Sequence, residues 1–235
     1  MGNPYHLIFK TFAALAILAG AAMGSARAET LPSLQPRIDA AQPGDVIAPP
    51  AGTYAGPLLI DKAIILDGGG NVTIDSGGVG SVIVLKADGA TVRGLRLVNT
   101  GESHNDLDSG IQVRGNYNVI KDNDISDSLF GIDIQQSNNN IVARNRIQSK
   151  PFDLGVRGDG IRLWYSNDNR IEDNTIINAR DVVVWYSKDN TISGNSISGG
   201  RYALHFMYAQ YNLVSNNHFD NNSVGTFLMY SDGVV

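Results

Sequence analysis

Two stretches, RYALHFMY (Arg201 to Tyr208) and GTFLMYS (Gly225 to Ser231), hold the side chains best suited to metal chemistry. His205 and Met207 stand two residues apart, so on a β-strand they face the same side at ~6.5 Å. Met229 follows 22 residues after Met207. Imidazole and thioether donors suit copper, Cu(I) in particular. The chain has no cysteine, which excludes disulfides, thiolate nucleophiles and cysteine-held zinc or iron–sulfur sites. A second set sits in two polar segments, GESHNDLDS (Gly101 to Ser109) and KPFDLGVRG (Lys150 to Gly158). With the residue that follows the second, they offer His104, Asp106, Asp108, Asp153, Arg157 and Asp159. Such carboxylates could serve acid–base work on a polysaccharide, sometimes with calcium. Against that, carboxylates in loop insertions are mostly solvated decoration.

Both stretches belong to a repeating chain. From Asn116 onward the blocks NYNVIKDNDI, NNNIVARNRI, NDNRIEDNTI, KDNTISGNSI and QYNLVSNNHF each carry N-x-[IV]-x-x-N. The first Asn falls at 118, 140, 169, 190 and 212, the second at 123, 145, 174, 195 and 217. A period of 21 to 22 residues, lengthened once by the Lys150 to Gly158 insertion, marks a solenoid. Leucine-rich repeats share the period but need Leu and a helical segment. Here Ile and Val dominate, and no segment has a 3.6-residue stripe. Short strands broken by Asn, Asp, Ser and Gly predict a right-handed parallel β-helix, a single-stranded solenoid of about 22 residues per coil. The Asn columns are expected to be structural, as hydrogen-bonded amide ladders along the axis. Upstream, Leu95 occupies the slot of the second Asn. Leu31 to Gly56 predicts an N-terminal cap, a short amphipathic helix followed by a first strand at Val46 and Ile47. The C-terminus stops just after a strand and is expected to be uncapped or truncated.

Strand alternation sorts the third strand of each coil. Two columns are expected to face the lumen: Ile111, Ile132, Ile161, Val182, Leu204, Thr226 and Val113, Ile134, Leu163, Val184, Phe206, Leu228. The columns between them must face out. One reads Gln112, Asp133, Arg162, Val183, His205, Phe227. The other reads Arg114, Gln135, Trp164, Trp185, Met207, Met229, polar at its start and soft or aromatic at its end. His205, Met207 and Met229 are the expected metal ligands. The plainer reading is an apolar patch covered by a partner or by further coils. Tyr165, Tyr186, Tyr208 and Tyr230 form one more column, expected to stack. His218 belongs to a different strand and face.

Residues 1–28 read as a signal peptide: Lys10, then an apolar run from Thr11 to Met23, then an Ala26-Arg27-Ala28 cleavage site. The mature chain, 29–235, is expected to be one β-helix domain that does not span a membrane and works in the periplasm or outside the cell. Net charge is −5, which argues against a nucleic-acid partner.

The stretches GDGIRLWYSNDNRIEDNTI, RDVVVWYSKDNTISGNSI and RYALHFMYAQYNLVSNNHFDNNSVGTFLMYS, with the opening ID-AAQPGD-IAPPAGTY, resemble NosD, the periplasmic maturation family of nitrous oxide reductase. The resemblance covers roughly Leu31 to Ser231. R-Y-x-x-H-F-M-Y and L-M-Y-S are its specific part. It implies a non-enzymatic accessory that docks on an ABC transporter (ATPase plus membrane subunits) and acts in copper delivery to the reductase. The other readings are a carbohydrate-binding or carbohydrate-active β-helix, whether lyase, epimerase or hydrolase, and a non-catalytic surface module.

Overall fold

The computed structural model describes residues 30–235. The expected signal peptide falls outside the described residues. The chain winds into a right-handed parallel β-solenoid of about eight coils. One wall is an eight-stranded sheet built from one strand per coil, running from Leu58–Ile60 to Val224–Met229. A fourteen-stranded sheet, bent along its length, supplies the other walls. Every strand pairing is parallel, so each strand bonds to its counterpart one coil away.

Ile and Val recur because each lumen position must fill a flat layer between two stacked neighbours. Ile111, Ile132, Ile161, Val182 and Leu204 are buried, as are Val113, Ile134, Leu163, Val184 and Phe206. Burying each such side chain contributes about 1.5–3 kcal/mol. At the last strand the two columns emerge. Thr226 is exposed and Leu228 is 52% exposed, because no further strand stacks on Val224–Met229.

Both Asn columns form ladders. Asn118, Asn140, Asn169 and Asn190 each donate their backbone N–H to the side-chain oxygen of the next Asn at 2.9–3.0 Å, ending at Asn212. Asn123, Asn145, Asn174 and Asn195 do the same at 2.9–3.1 Å, ending at Asn217. The second ladder starts at the backbone N–H of Leu95, which donates to Asn123 at 3.1 Å. Each ladder Asn follows a residue with positive φ, for instance Asp173 (54°) before Asn174 and Asp168 (57°) before Asn169. That corner conformation suits the Asn, Asp and Gly of the repeats.

The N-terminal cap forms as expected. Gln35–Ala40 is helical and buries Ile38. The Gln35 amide donates to Leu59 O at 3.0 Å and accepts from Leu59 N at 2.8 Å. It thereby mimics a neighbouring strand along an otherwise open edge. Val46–Ile47 is the first strand.

Candidate functional site

The outer face of the eight-stranded sheet carries the site. Trp164, Trp185, Met207 and Met229 lie in direct register on four successive strands. The tryptophan rings are 5.5 Å apart. Both methionines are half-buried and stand outside the lumen core. Beside them Tyr165, Tyr186, Tyr208 and Tyr230 stack at 4.8–5.1 Å with near-parallel rings, as expected.

His205 corrects one part of the sequence reading. It leaves the lumen as the alternation requires, yet it is only 6% exposed. Trp185, Tyr202 and Phe227 surround its ring edge-on, with centroids at 5.2, 5.0 and 5.4 Å. Neither ring nitrogen has a hydrogen-bond partner, nor does Trp185 Nε1. Nδ1 lies 3.5 Å from Asp181 Oδ2. A register shift accompanies the burial, in a column whose Asp133 and Val183 are also buried. Asp181 pairs with Tyr202 but Val183 pairs with His205, so the later strand holds one extra residue. Such a bulge re-aims its neighbours, and here Tyr202 packs against His205 and stacks on Phe227 at 4.8 Å.

Asp181 supports this ring from below. It takes both Nε and Nη2 of Arg201, and Oδ1 also accepts from Tyr202 N at 3.1 Å. Burial works to raise its pKa, and the neighbouring His205 and Arg201 outweigh that, leaving it below the usual value. Asp159 behaves in the opposite way. Burial first, and the charge of Asp181 second, push its carboxyl up to about 7.

The two insertions meet. His104 Nε2 lies 3.0 Å from Val156 O. Several of their polar groups, however, are engaged by neighbouring backbone or by one another. Asp108 accepts from Ser103 N and Asp106 from the Ser103 hydroxyl. Arg157 donates to Phe152 O and Gly199 O. Asp153 is exposed, while Asp108 and Asp159 are buried.

Residues 144–235 match the family described as periplasmic copper-binding protein (NosD), and residues 62–184 match the right-handed beta helix region. The "Probable ABC transporter binding protein NosD" of Pseudomonas aeruginosa is 32% identical over 162 residues. The chain belongs to a NosD-like family of right-handed β-helices. The alignment covers 68% of this chain and 37% of that relative, so the chain spans little more than a third of its length. Among solved structures, the enzymatically active domain of bacteriophage CBA120 tailspike protein 2 superposes with TM-score 0.54 at 10% identity, over 86% of this chain and 40% of that one. An alginate lyase from Paenibacillus superposes with TM-score 0.52 at 14% identity, over 85% and 96%. At such identities these structures share the fold.

Within this NosD-like β-helix, Met207 and Met229 come together on adjacent strands, with His205 beside them on the same outer face. His218 lies on the other sheet, exposed, in register with Ser196. Among the described residues no group of three or more His, Cys, Asp or Glu is placed to hold a metal ion; a set of one imidazole and two thioethers is of a different kind. No helix of the described residues is long and apolar enough to cross a membrane. Sequence reasoning missed Asp181, Arg201 and Tyr202. The visible signal was Asp181 itself, an acid at the strand start where three earlier coils have Gly110, Gly131 and Gly160. It also missed the buried Asp133, which pairs with Arg114 and Arg162.

Proposed function

We propose that this chain is a non-catalytic periplasmic accessory in copper-site assembly of nitrous oxide reductase, taking Cu(I) as cargo at His205, Met207 and Met229. Its partners in that role are the reductase and an ABC transporter, ATPase and membrane subunits together. The family description supports a copper-binding, periplasmic role. The relative's name supports the transporter association. The observation that carries the reading is the buried His205 imidazole, with both nitrogens unpartnered, beside two register-paired methionines. A buried polar atom without a partner is costly, and a soft cation is a group that would repay it. The test is an anaerobic Cu(I) titration of residues 29–235 against a chromogenic competitor, with an unrelated β-helix as control. One tightly held Cu(I) per chain is expected. Binding no tighter than the control would overturn the reading.

The carbohydrate-active reading has one observation of its own. Asp159, held up to about 7, has the protonation a general acid needs near neutrality. At 8% exposure it cannot meet a polymer without movement of the chain around it. Turnover of alginate or pectate that is lost in Asp159→Asn would reverse this ranking.

A further inference from the structure

The contact between Asp181 and His205 has a direction built into it. Asp181 is 3% exposed and is held on three sides: Arg201 Nε at 3.1 Å on Oδ1, Tyr202 N at 3.1 Å on the same oxygen, and Arg201 Nη2 on Oδ2. Its remaining acceptor capacity lies toward His205 Nδ1, 3.5 Å from Oδ2. That separation is longer than a hydrogen bond, and a small rotation of the imidazole closes it. The other faces of the imidazole meet aromatic rings, those of Trp185, Tyr202 and Phe227. Among the described residues, Asp181 is the one charged acceptor recorded within reach of the ring.

We infer that Asp181 is a positioning residue: with Arg201 bracing it, it holds the His205 proton on Nδ1 and keeps the Nε2 lone pair free for Cu(I). The inference rests on the copper reading above for its purpose, though not for its test. The logic is that of any metal-binding histidine, whose non-ligating nitrogen is fixed by a carboxylate or carbonyl. Neutral imidazole binds metal through the nitrogen that lacks the proton. If the proton sat on Nε2, the carboxylate would face an Nδ1 lone pair, and acceptor would oppose acceptor. Tyr202 joins the device through its backbone, since its N–H fixes the orientation of the Asp181 carboxylate.

The experiment uses the whole mature chain, labelled with 15N in histidine and free of metal. Long-range proton–nitrogen spectra at mildly alkaline pH assign the tautomer, with His205→Gln identifying the resonance. The expected result is the Nδ1–H form of His205 in the parent, redistributed toward Nε2–H in Asp181→Asn, with His218 unchanged in both. Cu(I) affinity in Asp181→Asn should fall by roughly tenfold or more, and Asp181→Glu should recover part of it. If Asp181→Asn does not fold, Arg201→Gln tests the same bracing, with a smaller redistribution expected. A parent His205 in the Nε2–H or doubly protonated form would overturn the inference, as would a tautomer that neither variant moves. A parent in the expected form that fails to bind Cu(I) would sink the copper reading and leave the positioning by Asp181 standing.

Discussion

Asn174 and His205 are both polar and both buried, at 1% and 6% exposure. Their surroundings treat them in opposite ways. The Asn174 side chain accepts from Asn145 N and Nδ2, and donates to Val142 O and Asn195 Oδ1, all at 2.9–3.0 Å. Every donor and acceptor it owns is used. His205 uses neither nitrogen. A fully connected polar ladder fixes the register of the coils. The caged imidazole makes no hydrogen bond, its Nδ1 standing 3.5 Å from Asp181, and a buried nitrogen left without a partner costs stability. Under the proposed copper role, the difference separates residues that hold the stack from a residue that takes a ligand.

The largest effect is expected at the ladder. Asn174→Asp replaces a donor by an acceptor facing Val142 O and Asn195 Oδ1. Denaturant unfolding should show a loss of about 3 kcal/mol or more. The loss should shrink in acid, where the carboxyl regains one donor proton.

Asp159 gives the next largest effect. Its pKa is higher in the fold than in the unfolded chain, so the fold favours the protonated form. Its contribution is intact below about 4 and is lost as pH rises toward about 7. Over that window the parent should lose on the order of 3 kcal/mol from this group. Asp159→Asn should flatten that part of the stability profile, which unfolding curves across the window would register. A parent profile that is equally flat would show that Asp159 ionises freely.

On the ligand side, Met207→Ala/Met229→Ala should weaken Cu(I) binding at least tenfold, about 1.4 kcal/mol. Stability should fall by about 1 kcal/mol or less per site, because both side chains are half-buried. His218→Ala should change neither quantity, since it stands exposed on the other sheet. A matching drop in affinity at His218 would mean that copper binds nonspecifically.

The ladders, the lumen columns, the N-terminal cap and the tyrosine stack were legible because each follows from a period. A 21- to 22-residue repeat sets the coil, and a two-residue alternation sets the face. The register of Trp185, Met207 and Met229 came from the same two periods. The burial of His205 was not legible. It depends on Trp185, Tyr202 and Phe227 closing over the ring, beside a strand that holds one extra residue between Asp181 and His205. Periodicity says which way a side chain leaves the backbone, and it is silent on what then folds over it. The insertions are a similar case. Their meeting at His104 and Val156 and the engagement of Asp106 and Asp108 with Ser103 are local loop geometry.

The decisive variant is His205→Phe, which puts a somewhat larger aromatic ring without nitrogens in the same cage. Stability and Cu(I) affinity are to be measured on the same preparation. Stability is expected to change little, because loss of the unpaired Nε2 is offset by loss of the Nδ1 contact with Asp181, while Cu(I) affinity falls roughly tenfold or more. A fold destabilised by several kcal/mol with copper affinity intact would contradict the copper role of His205.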